Sequence, residues 1–163
     1  MSNLFSSFQK VLPQHGLSRF VGALAKSKHP LVSKTFITQF AKAYNISLAE
    51  AERKSLSDYD SFNDFFTRAL APGVRPMPSD ASTLASPVDG AISQLGKIDG
   101  NQLMQAKGHR YSLNSLAGKA GSGLEEGDFC TIYLAPNDYH RIHLPFAGKL
   151  EQTFAVPGAL FSV

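Results

Sequence analysis

Two imidazoles stand three residues apart in Tyr139-His140-Arg141-Ile142-His143-Leu144-Pro145, beside an aromatic ring, a guanidinium and a closing proline. Histidine is the side chain whose ordinary pKa lies nearest neutrality, which makes it the usual proton carrier in catalysis. The chain has five histidines, and two of them are here. A second segment, Ser86-Pro87-Val88-Asp89-Gly90, fixes a carboxylate between a proline and a glycine. A carboxylate that reaches a histidine holds its tautomer and stabilises its charged form.

Three readings of the histidine pair stay open on the residues alone. His140 and His143 could ligate a metal, be satisfied structural histidines, or move protons. A helix would put positions i and i+3 on one face, whereas a strand puts them on opposite sides. The β-like surroundings and Pro145 argue against a helix. A zinc site needs further Cys, His or carboxylate ligands, and no Cys-x-x-Cys or His-Glu-x-x-His spacing occurs. No metal is therefore expected. Proton transfer gains weight from the turn at Asp89, which offers an orienting carboxylate.

These residues need a frame, and the chain changes grammar along its length to build one. Leu4, Phe5, Phe8, Val11 and Leu12 mark one apolar helix face, closed by Pro13. Leu17, Phe20, Val21 and Leu24 repeat the spacing, as do Val32, Phe36, Ile37, Phe40 and Tyr44 after Pro30. Ser47 with Glu50, and Ser61 with Asp64, resemble capping boxes that would each open a short helix. A linker follows with three prolines and a glycine between Ala71 and Pro78. From about residue 86 the pattern is strands and turns. Ala91 to Ile98 and Gln102 to Ala106 flank Asp99-Gly100-Asn101, a hairpin signal. Phe129 to Leu134 and Gly148 to Val156 are further strand candidates, and residues 118–128 read as an exposed loop. The expected fold class is α+β: N-terminal amphipathic helices over residues 1–70, a Pro-rich linker over 71–85, and a β-rich catalytic body over 86–163.

Charge is distributed unevenly. Residues 1–49 carry six basic residues and no acid, whereas the chain as a whole has a net charge of +3. Such asymmetry implies an anionic partner. Aromatic and leucine side chains opposite lysines suit the interface of an anionic bilayer, each basic residue adding about 1 kcal/mol of attraction. The alternative is that these apolar faces pack on the β body and the lysines are only solvated. No RNA-binding aromatic motif and no DNA-reading helix pair is present, so no nucleic acid is expected. No apolar run reaches the length of about 18 residues needed to span a bilayer. The single cysteine, Cys130, lies in an apolar run and reads as a buried core thiol in a reducing compartment.

The ordered motifs resemble the N-terminal part of a bacterial phosphatidylserine decarboxylase. They are Phe62-Asn63-Asp64-Phe65-Phe66-Thr67-Arg68, Val74-Arg75-Pro76, and Pro87-Val88-Asp89-Gly90 leading into Ile92-Ser93-Gln94-Leu95-Gly96. They continue with Gln105-Ala106-Lys107-Gly108, Tyr111-Ser112-Leu113, the Tyr139 to Pro145 run, and Val156-Pro157-Gly158 with Leu160 to Val163. Each is weak alone, but their order over essentially the whole chain is specific. Val88 departs from the alanine that many relatives carry before the aspartate.

The resemblance implies a proenzyme that converts phosphatidylserine to phosphatidylethanolamine. Its cofactor would be a pyruvoyl group, made when a serine in a Leu-Gly-Ser-Thr segment attacks the preceding carbonyl and the resulting ester eliminates. It implies that Asp89 orients His143, that His143 takes the proton from that serine, and that His140 serves the decarboxylation stage. Tyr139 and Arg141 would support the local backbone. Leu-Gly-Ser-Thr does not occur here, and the only Gly-Ser pair, Gly121-Ser122, sits in the polar loop. The chain is therefore expected to be a truncated N-terminal portion of the β chain, inactive alone, its pyruvoyl derived from a serine outside it. The implied partners are an anionic phospholipid membrane, phosphatidylserine and a pyruvoyl-bearing α chain, with a homodimer left open. The implied location is the cytoplasmic side of the inner membrane, held peripherally. The competing reading is a non-catalytic lipid-surface binding fragment.

Overall fold

A computed structural model of the chain describes residues 14–80, 82–100, 102–104 and 110–156. The described chain falls into two compact units. One gathers residues 14–79 with Tyr139–Arg141; the other gathers residues 80–138 with 142–156. The class is α+β, helices preceding strands.

The first unit is helical. Helix α1 runs Gln14–Lys26 and α2 runs Pro30–Ala43. Proline at the first position of α2 is pre-set for helical φ and gives up only an N–H that would lack an intrahelical partner. Ser33, Ile37 and Ala41, spaced by four, form its buried face. The helix ends where Asn45 takes φ 52°, a left-handed conformation that Asn tolerates. The amide of Tyr44 then closes on the Phe40 carbonyl at 3.0 Å. A short helix α3, Phe62–Phe66, is capped by the Ser61 hydroxyl, which accepts from the Asp64 amide at 3.2 Å. Ile37, Ala41, Tyr59 and Phe65 form the core, with Phe40, Ile46, Leu48, Leu56 and Phe62 packed against it.

The segment between α2 and α3 is closed polar by polar. Ala51 bridges Leu70, and the Ala71 amide donates to the Glu50 carbonyl at 2.8 Å. Arg53 grips both Asp64 carboxylate oxygens, at 2.6 and 2.8 Å, and lies 4.2 Å from the centre of the Tyr59 ring. Its guanidinium holds the Asp64 carboxyl below the usual carboxylate range. Burial pushes the Tyr59 hydroxyl up.

The second unit holds two antiparallel pairs. Strand β1, Ala91–Lys97, pairs with β4, Asp128–Tyr133, with an irregularity between Ile92 and Gln94. Strand β2, Gln102–Met104, pairs with β3, Arg110–Ser112. Helix α4, Leu113–Ala117, follows β3 under a cap in which the Ser112 hydroxyl accepts from the Ser115 amide at 3.0 Å. Ile98 and Leu113 form a small core with Ala117 and Phe129.

Several sequence expectations change. The hairpin around Asp99-Gly100-Asn101 does not pair β1 with β2; each strand takes a partner further along the chain. Ser47 opens no helix; its hydroxyl accepts from the Ala49 amide at 3.2 Å in a local turn, and Glu50 pairs instead with Arg75. Residues 148–156 form no strand, and the expected loop after residue 118 begins with a 3-10 turn, Gly118–Gly121. Cys130 is exposed. Phe129 faces the Ile98–Leu113 core, so the period-2 alternation of β4 turns its neighbour Cys130 outward. The helix expected over Leu4 to Leu12 and the Pro157-Gly158 closure lie outside the described residues.

Candidate active site

Asp89 and His143 belong to the β unit, and backbone pairing brings their segments together. The His143 amide donates to the Pro87 carbonyl at 2.8 Å, and the Ala85 amide donates to the Pro145 carbonyl at 3.0 Å. The pairs 87–143 and 85–145 share one register, so the two segments run antiparallel. An antiparallel pair of this type normally exchanges two hydrogen bonds. Here the return donor would be Pro87 or Pro145, and proline has no N–H. Each pair therefore keeps one bond, and the segments stay paired without forming a regular ladder. Asp89 lies two residues past Pro87, so its Cα is within roughly 7 Å of that anchor point.

The turn carrying Asp89 is fixed from both sides. The Ser86 hydroxyl donates to the Val88 carbonyl at 2.7 Å. A Cβ on Gly90 would lie 2.5 Å from the Tyr133 carbonyl oxygen and 2.9 Å from Ile132 Cγ2. Only glycine lets the backbone pass this close to β4, and β1 begins at the next residue. Asp89 is half-buried and His143 is exposed.

His140 belongs to the helical unit. Its ring lies on Phe66, centroids 4.1 Å apart and planes 22° apart. Tyr139 beside it is buried, and Arg141 Nε donates to the Thr67 carbonyl at 2.7 Å. Phe66 was not singled out as a site residue from sequence. The signal that could have found it is the Phe62, Phe65, Phe66 spacing, which leaves one ring of a short helix beyond what the core needs.

No group of three or more His, Cys, Asp or Glu among the described residues is arranged to hold a metal ion. No helix among them is long and apolar enough to cross a membrane. Leu17, Phe20 and Val21 on α1 are exposed, as are Ile142, Leu144, Phe146, Leu150 and Phe154 in the second unit.

Fold and site together define an α+β protein whose candidate acid–base residues sit in irregular segments rather than within helices or strands. Residues 62–163 match the family model described as phosphatidylserine decarboxylase, and residues 4–45 match a model described as PSD. The chain belongs to the phosphatidylserine decarboxylase family. It is 49% identical over 163 residues to the phosphatidylserine decarboxylase proenzyme of Psychrobacter cryohalolentis, covering 99% of this chain and 59% of that protein. It is 50% identical to the proenzyme of Hahella chejuensis, covering 98% of this chain and 55% of that protein. The proenzyme of Acinetobacter baumannii is 48% identical over 162 residues. The chain thus spans a little over half the length of these curated relatives.

Proposed function

We propose that this chain supplies the aspartate and histidine machinery of a phosphatidylserine decarboxylase, a lyase that forms phosphatidylethanolamine. The observation that carries the reading is the His143 to Pro87 hydrogen bond, which ties the histidine segment to the carboxylate turn. Asp89 orients the His143 imidazole and stabilises its charged form. His143 removes the proton from a serine hydroxyl supplied by further polypeptide, and the freed oxygen attacks the carbonyl before it. An exposed imidazole on a pinned backbone fits that task, because its hydroxyl partner comes from outside the described residues. The ester formed by that attack would eliminate and split the chain, and water would release ammonia from the new N-terminus to leave a pyruvoyl group, which would supply an electrophilic carbonyl for decarboxylation. His140 serves the later stage, positioning the substrate or delivering a proton.

The remaining polypeptide, the α chain of the mature enzyme, is the partner for the second unit. The exposed Ile142, Leu144, Phe146, Leu150 and Phe154 support this, since such a set is costly in water unless covered. Anionic lipid is the partner for α1, where exposed Leu17, Phe20 and Val21 lie on a helix that also carries Arg19 and Lys26. This supports a peripheral place at an anionic lipid surface; the cytoplasmic face of the inner membrane is what the family resemblance implies. The same helix face favours the second reading, a lipid-binding fragment without catalysis.

The test joins this chain to the C-terminal segment of the Psychrobacter cryohalolentis relative and follows self-cleavage and carbon dioxide release from phosphatidylserine. The joined protein is expected to cleave itself and turn over. Asp89→Asn and His143→Ala should each abolish cleavage. Normal processing in both variants refutes the assignment.

A further inference from the structure

We propose that Phe66 is a positioning residue for His140: its ring is the platform that sets the plane of the imidazole. The role given to His140 rests on the function proposed above; the platform itself rests on geometry.

The torsion that turns an imidazole about its Cβ–Cγ bond is broad, so rotamer preference alone does not fix the ring plane. A histidine that moves a proton in a set direction needs that plane held from outside. Stacking is suited to this. It occupies a face of the ring and leaves both nitrogens, which lie at the edge, open to hydrogen bonds. The Phe66 and His140 rings are 4.1 Å apart and 22° from parallel.

The platform is itself held. Phe62 stacks on Phe66 at 5.7 Å and 22°, and Phe40 from α2 meets it edge-on at 5.8 Å and 80°. Phe66 closes α3, whose Phe65 is fully buried. The Thr67 amide and hydroxyl both donate to the Asn63 carbonyl, at 3.0 and 2.8 Å. The Thr67 carbonyl in turn accepts from Arg141 Nε at 2.7 Å. Phe66, the last residue of α3, and its C-cap Thr67 therefore engage adjacent residues of the histidine segment: ring on ring at 66 and 140, guanidinium on carbonyl at 141 and 67. A displaced ring would cost contacts at several aromatic neighbours, each pair contributing about 0.5–1.5 kcal/mol beyond area burial.

The test is proton NMR on the 163-residue chain with labelled histidine. Cross-relaxation between the Phe66 ring and the His140 Hδ2 or Hε1 protons is expected in the unsubstituted protein, and its absence overturns the proposal. Phe66→Leu keeps an apolar side chain but removes the ring current, so the His140 ring protons should move downfield, while Phe66→Tyr should leave them in place. Unchanged His140 shifts in a Phe66→Leu chain that keeps its helical circular dichroism also overturn it. In the protein extended with the Psychrobacter segment, Phe66→Leu should lower kcat on the order of 10- to 100-fold, leave KM and self-cleavage unchanged, and be rescued by tyrosine. An equal loss with tyrosine overturns the platform role. If His140→Ala leaves turnover intact, the role of His140 fails instead, and the NMR result stands apart from it.

Discussion

The amide of His143 donates to the carbonyl of Pro87 at 2.8 Å. This one bond joins two motifs that lie far apart in sequence, and its partner bond is missing because residue 87 is a proline. A second singly bonded pair, Ala85 with Pro145, sets the same register. The carboxylate turn and the histidine segment are thus held together by backbone bonds, the same bonds that set where Asp89 and His143 sit along their segments. Four expectations follow from this arrangement and from the unit that carries His140.

Gly90→Ala should disturb the Asp89 turn. The added methyl group meets a backbone oxygen at 2.5 Å and a branched side chain at 2.9 Å, neither of which retreats easily. A cost of about 1–3 kcal/mol is expected, with the start of the β1–β4 register shifted. Thermal unfolding reads the first, and amide chemical shifts around Ile92 and Ile132 read the second. A fully stable protein with unchanged shifts would show that the turn has slack.

Phe65→Ala should unfold the helical unit at much lower denaturant. Phe65 is fully buried and touches the core from α3. Removing a buried phenylalanine costs about 3–5 kcal/mol. Far-ultraviolet circular dichroism against urea measures it, and a loss below 1 kcal/mol would mean that the site repacks.

Asp64→Asn should cost stability in a pH-dependent way. Arg53 hydrogen bonding holds the Asp64 carboxyl below its ordinary range. A carboxyl depressed by folding contributes stability above its unfolded pKa and loses it as pH falls through the folded value. At pH 7 the deficit of the variant should be about 1 kcal/mol, since both partners are partly exposed and screened. The two proteins should converge as pH falls below the carboxylate range. Melting temperatures across pH test this, and a gap that persists in acid points to packing instead.

Phe20→Glu should weaken binding to anionic vesicles. Phe20 is 63% exposed on α1, a helix that also carries Arg19 and Lys26. Losing one aromatic insertion and adding a negative charge should lower partition about 10-fold or more. Sedimentation with vesicles containing phosphatidylserine, against neutral vesicles, is the measurement. Equal binding by both proteins would remove α1 from the lipid interface.

The reach of sequence reading differs by the distance over which each signal acts. Helices α1 and α2 followed from apolar spacing and from Pro30, and α3 from the Ser61–Asp64 cap, because those forces act within one or two turns. The motif order also placed the chain in its family, and residue type alone marked Asp89, His140 and His143 as candidates. Strand partnership was not legible, since β1 could pair with any strand of matching alternation; long-range packing of Phe129 and Ile98 selected β4 and turned Cys130 outward. Nor could spacing show that His140 and His143, three residues apart, belong to different units. Local sequence determined which residues carry acid–base groups and which segments coil. Tertiary structure decided which backbone lies beside Asp89 and which ring lies beneath His140, because a hydrogen bond or a stacked face depends on separation in space, which a linear order of residues does not specify.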